Sequence, residues 1–216
     1  MNHAAKRVLI LGGTGFVGRH VCEKLTRLGC SMTVITRRAS QAAAIQNLPR
    51  VRVLEGDVYN GDFLAQCMAH HDVVINLIAI LHGTEAAFHK AHVQLPQVIA
   101  QACHASGLTR LIHISALGAS LDGPSLYQRS KAQGEAVLKQ AGLNLSILQP
   151  SVIFGTDDKF LNLFAQLQQL APVNHYSLLR FLVKMKPHLS SLKILLSHSG
   201  LQMLKLKFHV HLPLLL

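Results

Sequence analysis

A glycine-rich loop directly follows the first apolar segment of the chain and precedes a stretch with helical periodicity. The loop residues are Gly12, Gly13, Thr14, Gly15, Phe16, Val17 and Gly18. Glycine permits a tight turn and brings backbone N–H groups close to a phosphate, and the N-terminus of the following helix adds positive charge. A strand, this loop and a helix in succession predict a dinucleotide-binding unit, and a glycine-rich turn without a ligand is the alternative.

The first 155 residues alternate short β-branched apolar runs with longer amphipathic stretches, which is typical of βαβ units around a parallel sheet. The predicted strands are 7–11, 32–36, 51–54, 72–76, 111–114 and 144–148. The predicted crossover helices are 17–28, 62–70, 84–106 (with Pro96 kinking or dividing it) and 125–141. The predicted fold class is therefore α/β, a Rossmann-type doubly wound parallel sheet with an incomplete C-terminal region.

Composition limits the classes of protein that this chain can form. Its 216 residues are 50% hydrophobic and 14% charged, which suits one folded domain with an appendage and argues against disorder. The four cysteines form no C-x-x-C pair and the histidines have no metal-ligand spacing, so we expect reduced, mostly buried thiols and no metal site. No cleavable signal or spanning segment is evident, so the expected location is cytoplasmic, with peripheral attachment to the inner membrane left open.

The net charge of +11 is unevenly distributed along the chain. All ten acidic residues lie at or before Asp158, and the segment 174–216 contains 14 leucines, six Lys or Arg and no acid. We therefore divide the chain into a dinucleotide-binding domain, 1–173, and a basic leucine-rich tail, 174–216. The tail is expected to be disordered, or non-native sequence from a frameshift or a divergent gene end. Contact with a membrane or partner is the alternative, and nucleic-acid binding is not expected, since aromatic interleaving is largely absent.

Residues after the second to fourth predicted strands are candidates for contact with the nucleotide. Arg37 and Arg38 stand where an acidic residue would indicate NAD, and guanidinium groups favour the 2′-phosphate of NADP, although a solvated basic loop is the alternative. Asp57 and Val58 are placed beside the adenine, unless they belong to a plain turn. The segment from Asn76 to Ala79 borders the ribose and nicotinamide, unless Asn76 is an ordinary buried polar residue.

Tyr127 and Lys131 are four residues apart and therefore share one face of a predicted helix. A nearby ammonium favours the phenolate, so Lys131 is expected to lower the pKa of Tyr127. Tyr127 would then exchange a proton with a carbonyl or carbinol, and Lys131 would hold the ribose hydroxyls. The Y-x-x-x-K pattern also occurs by chance, so its meaning depends on the preceding dinucleotide fold.

These motifs, together with the segments 113–115 and 149–155, resemble the extended or atypical short-chain dehydrogenase/reductase superfamily. The segment 154–162 is similar to the branch that contains the nucleotide-binding accessory subunit of respiratory complex I and its bacterial relatives. The resemblance covers about residues 6–173. It implies a Rossmann fold that binds NAD(P), favouring NADP, and an oxidoreductase or epimerase activity on an unknown small-molecule substrate.

The resemblance also implies roles for single residues. Tyr127 would be the acid or base, Lys131 would contact the ribose, and Ser115 would polarise the substrate carbonyl. Pro150 and Ser151 would lie near the nicotinamide.

Three departures weaken the catalytic interpretation. Ser115 lies only 12 residues before Tyr127, and His92-Val93 stands where many active members have Asn-Val. The family's substrate half is also absent after residue 173. In the complex I branch the nucleotide is structural, so the alternative is a non-catalytic nucleotide-binding module that supports a membrane-associated respiratory or quinone-related assembly.

Overall fold

The computed structural model describes residues 6–150 of the chain. The six strands are β1 (Arg7–Leu11), β2 (Ser31–Thr36), β3 (Val51–Glu55), β4 (Val73–Asn76), β5 (Arg110–Ile114) and β6 (Asn144–Leu148). They form one sheet in the order β3-β2-β1-β4-β5-β6, and every neighbouring pair is parallel. This topology confirms the predicted doubly wound α/β fold. The carboxyl ends of all six strands therefore lie along one edge of the sheet, where such folds bind ligands.

The helices are α1 (Phe16–Arg27), α2 (Gly61–Met68), α3 (Glu85–His89), α4 (Leu95–Ser106) and α5 (Leu126–Gln140). A 3₁₀ turn, Ala39–Ala42, follows β2, and one π-helical turn, Lys90–Gln94, joins α3 to α4. The predicted division of the long helix is therefore present, but the π turn produces it. Pro96 lies in the first turn of α4, directly after the π turn, and it has no N–H to donate to a carbonyl of that turn.

Alternating residues of each central strand pack on opposite sides of the sheet. Leu9 and Leu11 belong to a core cluster with α2, α4 and α5, and Val8 and Ile10 belong to a second cluster with α1. The apolar runs in the sequence follow from this burial, since both faces of β1 are covered by helices.

Cysteine burial agrees with expectation within the described chain. All four thiols are free; Cys22, Cys30 and Cys103 are buried and Cys67 is half-buried. No helix among residues 6–150 is both long enough and apolar enough to span a bilayer.

Four parts of the sequence that carried predictions lie outside the described residues. They are Ser151, the segment 154–162, the proposed boundary at residue 173 and the tail 174–216.

Candidate dinucleotide-binding site

The glycine loop makes a tight turn between β1 and α1. Gly12 has a φ of +83°, a left-handed conformation that favours glycine, and its carbonyl accepts a hydrogen bond from Gly15 N at 3.1 Å. A Cβ at Gly18 would collide with Gly12 O and lie 2.5 Å from Gly13 Cα. The strand and the helix therefore approach so closely that only glycine fits at position 18.

The N-terminus of α1 is open toward the carboxyl edge of the sheet. Gly15 is its N-cap residue, no side chain caps it, and its first turn carries no acidic residue. The first N–H groups of a helix have no intrahelical partner, and together with the helix dipole they attract an anion. The cradle around Thr14–Phe16 therefore fits a pyrophosphate, with Phe16 and Val17 half-buried behind it.

A cleft of about 790 Å³ lies beyond the ends of β2 and β3. We call it the adenosine-side cleft, and its lining includes Arg37, Glu55, Asp57, Tyr59 and Lys90. The Asp57 carboxylate accepts a hydrogen bond from Tyr59 N at 3.0 Å, which shapes the turn after β3. The structure therefore brings the predicted Arg37 and Asp57 together, with two cations and two carboxylates around the same space.

The two predicted arginines occupy different positions. Arg37 lines the adenosine-side cleft, whereas Arg38 is the exposed N-cap residue of the 3₁₀ turn and is not among the residues that line it. Arg38 N donates weakly to Thr36 Oγ1 at 3.4 Å, and Glu55 Oε2 accepts from Ala39 N at 2.7 Å. Of the two guanidinium groups, Arg37 is thus placed to meet a ligand in the cleft.

Tyr59 and Lys90 also line this cleft, although neither was among the residues predicted from the sequence. The Tyr59 hydroxyl donates to Lys90 O at 3.2 Å, and Lys90 Nζ lies 4.9 Å from the centre of the Tyr59 ring. Burial, with a contribution from the Asp57 charge, raises the pKa of Tyr59. Lys90 belongs to the π turn and lies 34 residues after Gly56, which follows β3, so no local pattern indicated that Lys90 lies in the cleft.

The loop after β4 runs close to the glycine loop. A Cβ at Gly12 would lie 3.2 Å from Ile78 N. Ala79, the residue after Ile78, is exposed. Asn76 is fully buried; its Oδ1 accepts from Ile78 N at 3.1 Å and its Nδ2 donates to His113 Nδ1 at 3.1 Å. Asn76 therefore shapes this loop from beneath, and both ends of its amide are already hydrogen-bonded.

Tyr127 lies in the first turn of α5, which begins with a capping box between Ser125 and Gln128. Its half-buried ring packs edge-on against His92, with 5.5 Å between the ring centres. Burial raises the pKa of Tyr127. This direction is opposite to the lowering of the Tyr127 pKa that was expected from a neighbouring ammonium, because burial of the hydroxyl disfavours the phenolate.

Lys131 is 1% exposed and its ammonium donates to Ile114 O, the carbonyl at the end of β5, at 2.7 Å. Burial lowers the pKa of Lys131 to about 8, and the Glu135 charge acts against that lowering. Lys131 thus ties α5 to the carboxyl edge of the sheet. The structure brings Tyr127 and Lys131 to the same side of the helix, but the hydrogen bond of the ammonium is to the strand.

Ser115 follows β5 and is 4% exposed. Within residues 6–150 its Oγ has no hydrogen-bond partner of regular geometry, and it lies beside the buried Glu135 carboxylate. Burial alone would raise the pKa of Glu135, but its polar neighbours lower it overall, among them Gln149 and Lys139, which donate hydrogen bonds to the carboxylate. Ser115 therefore faces a carboxylate rather than open space in this structure.

The end of β6 approaches the same region. Pro150 O accepts from Leu117 N at 2.8 Å and Gln149 Nε2 donates to Glu135 Oε1 at 2.7 Å. Pro150 is half-buried beside the loop after β5, which places it on the side of the sheet that carries Lys131. The open glycine loop, the adenosine-side cleft and the tyrosine helix together define a dinucleotide-binding protein of the Rossmann class.

Comparison with known proteins assigns the family. The family model described as NAD(P)H-binding matches residues 12–176. The mitochondrial NADH dehydrogenase (ubiquinone) 1 alpha subcomplex subunit 9 of Mus musculus is 37% identical over 162 residues, which are 72% of this chain and 43% of that protein. A ceramide reductase of Caulobacter vibrioides is 31% identical over 168 residues, which are 77% of this chain and 52% of that protein.

A solved structure supports the same assignment at the level of the fold. The UDP-glucuronic acid 4-epimerase of Bacillus cereus, in complex with NAD, superposes with a TM-score of 0.64 at 22% identity, covering 76% of this chain and 64% of that chain. The chain belongs to the NAD(P)H-binding family. It spans about half or less of the length of the two curated relatives.

Proposed function

We propose that this chain binds a nicotinamide dinucleotide, NADPH in preference to NADH, and uses Tyr127 for proton transfer in an oxidoreductase or epimerase-type reaction. The observation that carries the proposal is the uncapped N-terminus of α1 beside a glycine loop in which Gly18 permits no side chain. Such a cradle binds a pyrophosphate through backbone N–H groups alone. Membership of the NAD(P)H-binding family supports the same ligand class.

The preference for NADPH follows from the charges around the adenosine-side cleft. Arg37 and Lys90 line it together, and a 2′-phosphate would add negative charge between them. Glu55 and Asp57 line the same cleft and oppose that effect. We expect the cations to dominate, because Glu55 already accepts a hydrogen bond from Ala39 N and Asp57 accepts one from Tyr59 N.

The chemical step uses residues at the carboxyl edge of β5 and the start of α5. A bound nicotinamide would supply or accept the hydride at its C4 carbon. Tyr127 would give its hydroxyl proton to the oxygen of a carbonyl group whose carbon accepts the hydride. In the reverse direction its phenolate would take the hydroxyl proton of a carbinol whose carbon loses the hydride. Lys131, with a pKa lowered to about 8, would hold a ribose hydroxyl once its hydrogen bond to Ile114 O is shared.

Thermal unfolding of the full chain with NADPH, with NADH and without nucleotide tests the binding proposal. A ligand that binds only the folded state stabilises it by about 2.7 kcal/mol at a hundredfold excess over Kd. We expect a larger shift with NADPH. A larger shift with NADH would contradict the role of Arg37, and no shift with either nucleotide would contradict binding itself.

The second candidate function is a non-catalytic nucleotide-binding module in a membrane-associated respiratory assembly. Two observations favour it: the Lys131 ammonium is bonded to Ile114 O, and the pKa of Tyr127 is raised, so the tyrosine is not activated in this arrangement. The mouse relative is named as a subunit of NADH dehydrogenase (ubiquinone), and attachment at the inner membrane would follow. Tyr127→Phe separates the candidates, since it removes turnover in an enzyme and leaves partner association of a module unchanged.

A further inference from the structure

His92 stands where many active members of the superfamily that the sequence resembles have asparagine. It lies in the middle of the π turn Lys90–Gln94, is 1% exposed, and packs between the rings of Phe88 and Tyr127. π-helical turns are rare and are found frequently at functional sites. The sequence assigned no role to its imidazole, because the histidines have no metal-ligand spacing.

Both ring nitrogens of His92 make hydrogen bonds to different parts of the fold. Ile80 N donates to His92 Nε2 at 3.1 Å, so Nε2 is the acceptor. The proton of the neutral ring is then on Nδ1, which lies 2.8 Å from Ser130 Oγ and donates to it. Burial, with the Lys131 charge, lowers the pKa of His92 to about 4, so the ring is neutral at physiological pH.

Ser130 passes the connection to the tyrosine. The Ser130 hydroxyl donates a hydrogen bond to the backbone carbonyl oxygen of Tyr127 at 2.9 Å, within the first turns of α5. The backbone supports the same contact, because a Cβ at Gly134 would collide with His92 O. The π turn and α5 are therefore held together at two points one helical turn apart.

The other end of the connection is the loop after β4. Ile80 lines the adenosine-side cleft, and two residues earlier Ile78 N lies against the glycine loop. One buried ring thus joins the loop along which the nucleotide would lie to the helix that carries Tyr127.

We propose that His92 is a positioning residue, whose two ring nitrogens couple the loop at Ile80 to the first turn of α5 and so fix Tyr127 relative to the nucleotide. The inference rests on the proposed function for the nucleotide, but the two hydrogen bonds exist without it. Its test therefore begins with the free protein and adds nucleotide afterwards.

The first measurement is the tautomer of His92 in the full chain labelled with ¹⁵N-histidine. Its resonances are assigned by their disappearance in His92→Gln. We expect the Nδ1–H tautomer at neutral pH and no titration near pH 6.5, the ordinary value for histidine. An Nε2–H tautomer, or protonation near pH 6.5, would overturn the proposal without any reference to nucleotide binding.

The second measurement separates the two hydrogen bonds. In His92→Asn the amide lies near the position of Nδ1 and keeps the contact to Ser130, whereas in His92→Gln it reaches the position of Nε2 and keeps the contact to Ile80. The ring carbon of Tyr127 beside the hydroxyl reports its position when tyrosine is ¹³C-labelled, and the chain has only three tyrosines. His89→Asn and His89→Gln, at an exposed position on the adjoining turn, are the matched controls.

In the free protein, His92→Gln and Ser130→Ala should shift the Tyr127 signal, and His92→Asn should leave it near the wild-type position. With NADPH, His92→Asn should bind about tenfold more weakly, as for one lost hydrogen bond, and lose the nucleotide-induced shift of Tyr127. A wild-type response to NADPH in His92→Asn, or an unmoved Tyr127 signal in both His92→Gln and Ser130→Ala, would overturn the proposal.

If wild-type protein binds no nucleotide, the proposed function fails, and the free-protein shifts still decide whether His92 positions Tyr127. Ser130→Ala retains the imidazole ring, so it provides a test even where a His92 variant does not fold.

Discussion

The glycine loop and the region around Tyr127 lie at the same carboxyl edge of the sheet, but they differ in how many of their polar groups are already hydrogen-bonded. At the glycine loop no side chain caps α1, and its N-cap residue Gly15 is exposed. At the tyrosine helix the polar side chains bond to one another or to nearby backbone: His92 to Ser130, Asn76 to His113, and Lys131 to the end of β5. The first region offers free N–H donors, whereas the second has used nearly all of its polar groups.

This difference shows how strongly the structure supports each part of the proposed function. Free backbone donors in a rigid turn are ready for an anion, because binding requires no internal bond to break. The tyrosine region must exchange an internal hydrogen bond for a ligand contact, since Lys131 Nζ is held by Ile114 O at 2.7 Å. Nucleotide binding is therefore better supported than catalysis, and four predictions test the contrast.

Gly18→Ala should have the largest effect on stability and on nucleotide binding, because the glycine loop has no space for the added methyl group. The new Cβ would collide with backbone atoms of Gly12 and Gly13, which no side-chain rotation can relieve. We expect a loss of about 3 kcal/mol in the free energy of unfolding and no stabilisation by NADPH. Urea unfolding with and without the nucleotide measures both.

Gly61→Ala is the matched control for that variant. Gly61 begins α2 and has no atom within 4 Å of an added Cβ. It should be neutral or stabilise the protein by up to about 1 kcal/mol. Equal losses in the two variants would show that the effect at Gly18 does not come from the close approach of strand and helix.

Acid should destabilise the tyrosine region next most strongly. Burial lowers the pKa of His92 to about 4 and that of His113 to about 3, from an ordinary value of 6.5. The unfolded chain binds these protons below pH 6.5 and the folded chain does not, so the free energy of unfolding falls as the pH decreases from 6.5 toward 4. His92 alone should contribute about 3 kcal/mol.

Urea unfolding across that pH range measures the loss, and His92→Gln removes the contribution of one histidine. The pH dependence of the variant should therefore be shallower than that of the wild type. An identical dependence in the two proteins would mean that His92 is protonated as readily in the folded state as in the unfolded state.

Arg37→Gln should have a moderate effect that is confined to the adenosine-side cleft. Because Arg37 lines the adenosine-side cleft, its loss should weaken NADPH binding about tenfold and leave NADH binding nearly unchanged. Titration calorimetry gives both affinities. Arg27→Gln, at the exposed C-terminal end of α1, is the control and should alter neither affinity.

Tyr127→Phe should have the smallest effect on stability. Among residues 6–150 the Tyr127 hydroxyl has no hydrogen-bond partner, and its ring contacts with Phe88 and His92 remain in the variant. The free energy of unfolding should change by less than about 0.5 kcal/mol, while any turnover is lost. A large loss of stability would show that the hydroxyl supports the fold, and the catalytic proposal would lose its main argument.

Much of the fold could be predicted because its signals are local. Each of the six strands was predicted to within one residue at either end, since buried parallel strands are continuous apolar runs. The glycine loop was recognisable for a similar reason: the turn at Gly12 and the close approach at Gly18 each require glycine. The tyrosine and lysine were also predicted to share a helix face, which follows from their spacing of four.

The sequence by itself thus determined the sheet, the crossover helices and the position of the phosphate cradle, because hydrophobic periodicity and glycine geometry act over a few residues. Only the tertiary structure decided where the polar side chains are directed. It turned Lys131 toward Ile114, brought Lys90 into the cleft beside Arg37, and placed His92 between Ile80 and Ser130. These contacts join residues far apart in the chain, and a buried polar group takes whichever partner the packed fold brings within hydrogen-bonding distance.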